Sequence, residues 1–426
     1  MQLPTLPHRL PSLGKVPSFG RRSGADVTGL DIQPGFVAAV HARVNGSIKA
    51  ERAASIELGA DTIRDGEVMD EVALTEALRE LFATSGLGKR VRVGVANQRT
   101  VLRTLELPPV TDAKELAAAV GFQAQDQVPM PLNNAVLDFH PLGIIETPSG
   151  PRQRVVLVAA QRDMVERLLS AVRAAGLTPE GVDLSAFALI RSLYHPEPEQ
   201  TGRVLYLNVD GLTNLAIAEG TVCRFTRVVG GGLEGMASEL AERRGIALAD
   251  ARRRLAEADL SMPAPVAEPA PIEEPEFAQP DEAVEDQHED AALSPEEHAQ
   301  REAEMGFTEL AHAAPVAPES VADADEPTTD ADVWAVLENG VREISGEVRN
   351  SLDFHRSQEG GGEVSHVVLS GSAQDIPGFT EALQLSLGVE VRPTTVGLVD
   401  GAVTAGVSPH RLAVATGLAA SEIPHQ

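Results

Sequence analysis

Three short stretches of this sequence place polar or small residues directly after an apolar run. The first, TGLDIQPGF, ends its run at Asp31, and a carboxylate there either holds a magnesium ion through water or caps a loop. The second, LYLNVDGLTNL, has Asp210 before a glycine. The third, VVLSGSAQDIPGF, sets Gly371, Ser372 and Ala373 where a strand passes into a helix. Small residues there let backbone N–H groups approach a flat or anionic ligand, although an ordinary strand-to-helix turn has the same composition.

Other kinds of chemistry find no support in the residue pattern. The eleven histidines show no metal-ligand spacing such as His-x-x-x-His, so no transition-metal site is predicted. Ser370 and Ser372 lack a neighbouring His and Asp arrangement, which argues against nucleophilic catalysis. The single Cys223 excludes a disulfide framework within the chain and is typical of cytoplasmic proteins.

The elements that must position these residues repeat along the chain. Residues 26–56 are predicted to form three strands, the last two joined through Asn45-Gly46, because this pair tolerates the positive φ of a tight hairpin. Residues 203–228 repeat the order strand, Asp-Gly turn, strand, turn, strand. This internal duplication predicts two related subdomains that face each other across a cleft.

Further elements are predicted from apolar spacing. Helical spacing occurs at 72–81, and KRVRVGVANQRTVLRTLELP alternates like a pair of strands. A helix is predicted after Thr111 as its N-cap, with Glu115 strengthening the first turn. Residues 333–354 have a clean three-four apolar spacing over five turns, which predicts a strongly amphipathic helix.

The acidity of the chain is concentrated in one segment. Residues 262–332 hold 21 Asp and Glu residues and one basic residue, Arg301, so they account for −20 of the net charge of −28. Their Pro, Ala and acidic composition predicts a disordered insert, with a candidate short helix at 294–311. The first 24 residues are expected to form a flexible tail.

Two further classes of protein are excluded by composition. No run reaches the roughly 20 apolar residues of a membrane span, and the N-terminus lacks the apolar segment of a secretory signal. No basic stripe with interleaved aromatic residues is present, so nucleic acid is not a predicted partner.

The three stretches, in this order and spacing, resemble the phosphate-1, phosphate-2 and adenosine motifs of the actin-like ATPase superfamily. Longer segments are similar to the PilM family of type IV pilus assembly. These are KELAAAVGFQAQDQVPMPLNNAVLDFHPLG, AGLTPEGVDLSAFALIRSL, EVRNSLDFHR and the closing HRLAVATGLA. The resemblance covers roughly residues 25–255 and 333–420.

This resemblance implies an α/β fold of two actin-like lobes built from duplicated ribonuclease-H-like subdomains. The expected boundaries are a first lobe at 25–202 with an inserted 1C subdomain at about 60–153, and a second lobe at 203–261 and 333–426. ATP and Mg²⁺ would be the cofactors, with Asp31 at the metal. The matching nucleotide-site residues are Asp31, Gln33, Gly35, Asn208, Asp210, Gly211, Thr213, Gly371, Ser372 and Ala373, together with Arg349 and Asn350 on the polar face of the helix at 333–354.

The sequence also departs from the family's motifs. Members carry DIGS-s-K at phosphate-1, whereas this chain has Gln33 and Pro34 and lacks the lysine. Pro34 removes a backbone N–H that a phosphate would use. At phosphate-2 Asn208 stands in place of an aspartate, and Ser372 replaces a glycine of the adenosine motif. Together these changes predict weak or absent ATP hydrolysis.

The resemblance implies a cytoplasmic scaffold, held at the inner membrane by the N-terminal peptide of a PilN-type protein in a groove between subdomains 1A and 1C. Other pilus assembly components and a homo-oligomer stay open as partners. The alternatives are a superfamily kinase, an FtsA-like filament protein and a scaffold that never binds ATP. Asp183, where the lobes join, either faces the cleft or caps the following helix.

Overall fold

The computed structural model describes residues 27–45, 47–196, 202–262, 331–358 and 361–420, and the structural statements below concern those residues. The predicted tail at 1–24, the candidate helix at 294–311 and nearly all of the predicted insert at 262–332 lie outside them.

The described elements alternate between strands and helices. The strands are β1 (Thr28–Gln33), β2 (Phe36–Asn45), β3 (Ser47–Glu57), β4 (Ile63–Arg64), β5 (Glu67–Val68), β6 (Arg90–Val95), β7 (Val101–Leu107), β8 (Ala135–Thr147), β9 (Gly150–Gln161), β10 (Thr178–Leu184), β11 (Arg203–Val209), β12 (Thr213–Glu219), β13 (Val222–Val229), β14 (Val364–Ser370), β15 (Val391–Pro393) and β16 (Gly397–Val403). The helices are α1 (Glu71–Ser85), α2 (Ala113–Gln127), α3 (Arg162–Ala174), α4 (Ser185–Leu193), α5 (Leu233–Arg244), α6 (Leu248–Ala256), α7 (Ala331–Ser357), α8 (Phe379–Leu387) and α9 (Ala413–Ala419).

The first lobe is built on a six-stranded sheet with the order β10-β6-β1-β2-β3-β16. Strand β1 is central, and all six of its residues are buried. It pairs antiparallel with β2 through the Pro34-Gly35 turn and parallel with β6 on its other side. Gly35 has a φ of +89°, which a residue with a side chain rarely adopts. Strand β10 pairs parallel with β6, so the carboxyl ends of β1, β6 and β10 lie at one edge of the sheet.

The second lobe repeats this plan on a five-stranded sheet with the order β13-β12-β11-β14-β15. Strands β11, β12 and β13 form an antiparallel meander, and β14 pairs parallel with β11. Alternate residues of β11 face opposite sides: Leu205 and Leu207 pack toward α5, α7 and α8, whereas Tyr206 packs toward the first lobe. The predicted duplication of a three-strand unit is confirmed.

A third sheet, with the order β7-β9-β8, forms a subdomain inserted between β6 and α3. It has its own core, in which Leu105 and Leu157 pack against Leu116 and Val120 of α2. Helix α2 is capped by Asp112, whose Oδ1 accepts the N–H groups of residues 114 and 115, so the predicted N-cap one residue earlier was wrong.

Two expectations about the first lobe need correction. Strands β6 and β7 were predicted to pair with each other, but they belong to different sheets, because the chain crosses from the lobe to the inserted subdomain between them. For the same reason the inserted subdomain starts later than the expected position near residue 60. Helix α1 and strand β6 contribute Leu74, Leu78 and Val93 to the core of the first lobe instead.

The end of the described chain returns to the first lobe, although residues 333–426 were all expected in the second. Strand β16 pairs parallel with β3, and Leu412, Val414 and Leu418 are buried in the cluster that α4 and α9 share with both sheets. Arg92 of β6 and Arg191 of α4 both donate to carbonyl oxygens at the end of α9. Helix α9 and β16 are thus parts of the first lobe.

The long helix α7 confirms the predicted amphipathic pattern. Its buried side chains include Val333, Leu337, Val341, Ile344 and Val348, which recur at three- and four-residue intervals on one face. This face packs on the sheet of the second lobe. Among the described residues, no helix has both the length and the apolar character that crossing a bilayer requires.

Candidate functional site

The turns of the three sequence motifs meet at one place between the lobes. The N–H of Leu212, within the β11–β12 turn, donates to Gln33 Oε1 in the first lobe at 3.3 Å. The N–H and hydroxyl of Ser372, after β14, donate to Asp210 Oδ1 at 2.8 and 2.5 Å. Gly371 has a φ of +98°, and a Cβ on it would lie 2.3 Å from the carbonyl oxygen of Val209. The three stretches are therefore neighbours in space.

Asp210 uses both of its carboxylate oxygens on the protein itself. Oδ1 accepts from Ser372, and Oδ2 accepts the side-chain amide of Asn208 at 3.0 Å. Asn208 in turn accepts the hydroxyl of Ser370 at 2.8 Å. Burial raises the pKa of Asp210 above its ordinary value, although the hydrogen bonds from Ser372 and the charge of Arg411 act in the opposite direction. This carboxylate holds the turn together and presents no free oxygen to a ligand.

Asp31 is similarly enclosed and only 1% exposed. The side-chain amide of Gln33 donates to its two oxygens at 3.1 and 3.4 Å. Burial raises the pKa of Asp31 to about 7, the negative charge of Asp210 adds to this, and the hydrogen bond from Gln33 opposes it.

The two phosphate-type turns touch each other directly. A Cβ on Gly211 would lie 2.1 Å from the carbonyl oxygen of Pro34, so only a glycine allows the two backbones to approach this closely. The residue before Gly35 lacks an N–H, because it is a proline. A magnesium-bound phosphate between these turns therefore does not fit the arrangement of the residues present.

A cavity of about 440 Å³ lies beside the turns. Its lining residues are Pro34, Gly35, Phe36, Glu57, Gly211, Leu233, Glu234, Ala249, Arg252, Arg253, Leu255, Ala256, Ser372, Asp375, Ile376 and Arg411. The guanidinium carbon of Arg411 lies 4.3 Å from the centre of the Phe36 ring, within the range of a cation–π contact. This cavity is the space that a flat or anionic ligand would enter, and it adjoins all three motifs.

An ion pair in the wall of the cavity also ties the lobes together. Arg252 of α6 pairs with Glu234 at the start of α5, and its Nη1 donates to the carbonyl oxygen of Leu58 in the first lobe at 3.1 Å. A Cβ on Gly35 would lie 2.6 Å from Glu234 Oε2, so this carboxylate sits against the β1–β2 turn.

Most of the predicted site residues gather here, but some do not. Thr213 and Ala373 are fully buried next to the motifs, and neither lines the cavity. Arg349 and Asn350 are exposed on α7, and Arg349 donates to the carbonyl oxygen of Ser386 at the end of α8 at 3.3 Å. The expected adenosine contacts of these two residues stay a prediction.

The sequence reasoning missed Phe36, Arg411, Glu234 and Arg252. The cation–π contact and the ion pair join residues that are not neighbours in sequence, so no local pattern could reveal these pairings. One signal was available for Glu234, which follows three glycines. A Cβ on the last of them, Gly232, would lie 2.6 Å from the carbonyl oxygens of residues 210 and 211, so the glycine run marks a close approach to the motif turn.

Asp183 neither faces the cavity nor caps a helix. Its Oδ2 pairs with Arg191 of α4 at 2.8 Å, and its Oδ1 accepts the N–H of Leu184 at 2.8 Å. Leu184 is the N-cap residue of α4 and makes no side-chain cap. The role of Asp183 is thus to orient Arg191, which holds the end of α9.

A second cavity, of about 420 Å³, lies between the carboxyl end of β6 and the strands β12 and β13. Among its lining residues in the described part of the chain, Glu347 is the one carboxylate. Its Oε2 is paired with Arg227 at 2.7 Å. A second-substrate pocket of a kinase requires a free carboxylate as base, and this cavity does not supply one.

Comparison with known proteins identifies the architecture. A family model described as type IV pilus assembly protein PilM matches residues 29–260. The solved structure titled "PilM-PilN type IV pilus biogenesis complex" is similar with a TM-score of 0.62 and 20% identity, covering 92% of this chain and 97% of that chain. The ethanolamine utilization protein EutJ from Carboxydothermus hydrogenoformans aligns with a TM-score of 0.45 and 12% identity, over 92% of this chain and 88% of that chain.

A third similar structure is MreB5 of Spiroplasma citri bound to AMPPNP, with a TM-score of 0.42 and 10% identity over 92% of this chain and 94% of that chain. The fold is the two-lobed actin-like ATPase fold, with the β7-β9-β8 sheet as an inserted subdomain.

Proposed function

Because the chain belongs to the PilM family of type IV pilus assembly proteins, we propose that it is a scaffold that binds the N-terminal cytoplasmic peptide of a PilN-type inner-membrane protein and is thereby held at the cytoplasmic face of the membrane. The proposal is supported by the family match and by the likeness in fold to a PilM-PilN complex. In this role the protein needs no anchor of its own, since the partner supplies it.

One observation carries the choice of a scaffold over an enzyme. The carboxylates of the two phosphate-type motifs, Asp31 and Asp210, are each about 1% exposed and hydrogen-bonded within the protein. Hydrolysis of ATP requires a carboxylate or amide that orients the attacking water and a metal that neutralises the phosphates. Groups already used inside the fold can do neither without rearrangement. The carboxylate in the second cavity is also paired, which argues against a kinase.

The contact surface for the partner is proposed in the groove between the first lobe and the β7-β9-β8 subdomain, as the family resemblance implies. Two large apolar side chains of this subdomain are exposed: Phe122 on α2 by 75% and Ile144 on β8 by 62%. Single exposed apolar side chains are common on monomers, so these two are proposed as contacts because they belong to the subdomain that borders the groove. An apolar partner peptide would cover them.

The test is calorimetric titration of the full chain with the N-terminal cytoplasmic peptide of its PilN-type partner. We expect saturable binding that weakens at least about tenfold in Phe122→Ser and Ile144→Ser, because each removes an apolar contact of roughly 1.4 kcal/mol or more. Leu385→Ser is the matched control, since Leu385 is 87% exposed but lies on α8 of the second lobe. Absence of binding by the folded wild-type protein would refute the proposal.

A role for ATP is a separate part of the proposal. A nucleotide that binds would be held in the 440 Å³ cavity beside Arg411, and it would bias the peptide groove only if it preferred one arrangement of the lobes. We expect ATP hydrolysis at the level of a buffer blank, unchanged in Asp31→Ala. A phosphate-release assay that shows turnover abolished by this substitution would restore the enzymatic interpretation.

A further inference from the structure

We propose that the side chain of Gln33 takes the place of nucleotide phosphates and holds the two lobes together, so that this protein closes without a nucleotide. The inference concerns the arrangement of the lobes and does not depend on the identity of the partner.

The carboxamide of Gln33 bridges the lobes through both of its polar atoms. Its Nε2 donates to the two oxygens of Asp31 on the same strand, and its Oε1 accepts the N–H of Leu212 from the opposite lobe. Backbone N–H groups at such turns are the donors that a phosphate would use. Here the oxygen of an amide occupies one of them, and the residue is 1% exposed.

The surrounding contacts leave no room for a phosphate in addition to the amide. A Cβ on Gly211 would meet the carbonyl oxygen of Pro34 at 2.1 Å and the Cβ of Gln33 at 3.3 Å. The backbones of the two turns are thus in direct contact. If a nucleotide closed the lobes, its phosphates would lie between these turns and would attract both of them. Here the protein's own groups make the contact between the turns.

The charges around Gln33 explain why an amide suits this position. Asp31 lies beside it on β1, and Asp210 from the second lobe adds a second negative charge to the same region. An amide can donate to the first carboxylate and accept from the N–H of Leu212, whereas a third carboxylate could only accept. Arg252 makes a second tie nearby through the carbonyl oxygen of Leu58.

The test measures the distance between the lobes in the full chain. Spin labels are attached at Glu80→Cys on α1 and Leu385→Cys on α8, both exposed positions in different lobes. The native Cys223 is buried, and burial raises the pKa of its thiol to about 12, so it stays unlabelled. The distances are recorded by pulsed electron paramagnetic resonance with and without Mg²⁺ and ATP.

We expect one narrow distance distribution in the wild-type protein, unchanged by Mg²⁺ and ATP. Gln33→Met keeps most of the volume and removes the hydrogen bonds to Asp31 and from Leu212. Gln33→Glu places a third carboxylate at the contact. Both substitutions should therefore broaden the distribution toward longer distances. Gln374→Met is the matched control, because the Gln374 amide donates to Leu369 and Thr394 within the second lobe alone. It should leave the distribution narrow.

A second variant separates loss of closure from loss of folding. Gly211→Ala leaves Gln33 intact but forces the two backbones apart, and it should broaden the distribution while circular dichroism stays that of the wild type. The proposal is overturned if ATP shifts the wild-type distance. It is equally overturned if folded Gln33→Met keeps the narrow distribution, whatever Gly211→Ala does.

Discussion

At the scale of single residues, the carboxyl group of Asp31 should make the stability of the fold depend on pH. Its pKa is about 7 in the folded protein and 3.8 as an ordinary aspartate, so between these values the folded chain binds more protons than the unfolded chain. The contribution of Asp31 to the free energy of unfolding is therefore most favourable below about pH 4, falls as the pH rises and levels off above about pH 7. Asp210 contributes in the same direction, because its pKa is also raised.

Asp31→Asn tests the expected dependence of stability on the charge of Asp31. Asparagine resembles the protonated acid, so the variant should gain free energy of unfolding relative to wild type at about pH 8, on the order of 4 kcal/mol at most, and little at about pH 4. Denaturant melts at both pH values measure this difference. Asp112→Asn, at the exposed cap of α2, is the control and should show no such pH-dependent gain. A gain for Asp31→Asn that is equal at both pH values would contradict the buried, protonating carboxyl group.

At the scale of elements, the docking of α9 depends on glycines that let backbones touch. A Cβ on Gly417 would lie 1.9 Å from the carbonyl oxygen of Ala188 in α4. Gly417→Ala should therefore cost about 1–3 kcal/mol or more, since a packed backbone must move to admit one methyl group. Gly121→Ala in α2, where nothing lies within 4 Å, should instead stabilise by up to about 1 kcal/mol. Thermal unfolding of both variants measures these changes in stability. Equal changes in the two variants would contradict the close contact between Gly417 and Ala188.

The arginines at the end of α9 give a second prediction for this element. Arg92 is 5% exposed and donates to the carbonyl oxygens of residues 418 and 420 at 2.8 Å. Arg92→Met keeps much of the stem but removes both of these hydrogen bonds, and the oxygen of residue 420 keeps its donor in Arg191, so the substitution should cost about 1–3 kcal/mol. The rate of amide hydrogen exchange should increase first in α9. Arg79→Met is the comparison, because Arg79 is exposed and bonds the carbonyl oxygen of Ala174 at the surface, and it should cost much less.

At the scale of the whole molecule, the fold closes only when the end of the described chain returns to its beginning. Leu412, Val414 and Leu418 are each at most 1% exposed in the core shared by both sheets, and burying each contributes about 1.5–3 kcal/mol. The sum of these three contributions approaches the whole free energy of unfolding of a typical protein. A chain ending at residue 396 should therefore fail to fold, as judged by circular dichroism and solubility.

A chain that ends at residue 420 is the control for that truncation. It keeps β16, α9 and the carbonyl oxygens that Arg92 and Arg191 bind, so its melting temperature should match that of the full chain. A folded protein from the shorter truncation would show that the first lobe is complete without α9.

The amino-acid sequence by itself determined the local elements and their repetition. The Pro34-Gly35 and Asp210-Gly211 turns, the two antiparallel meanders and the apolar stripe of α7 follow from periodicity and turn residues, which act over a few neighbours. The order of the three motifs was also sufficient to recognise the superfamily. These features depend on short-range sterics and on which face of an element is apolar.

Only the tertiary structure decided which elements share a sheet and what the motif residues do there. Strands β6 and β7 are neighbours in sequence but belong to different sheets, and β16 pairs with β3 across the length of the chain. Likewise, Asp31 and Asp210 could be metal ligands by residue type alone. Their burial, and the hydrogen bonds that Gln33 and Ser372 donate to them, use those carboxylates inside the fold. Such pairings depend on contacts between distant residues, whose distances no local pattern specifies.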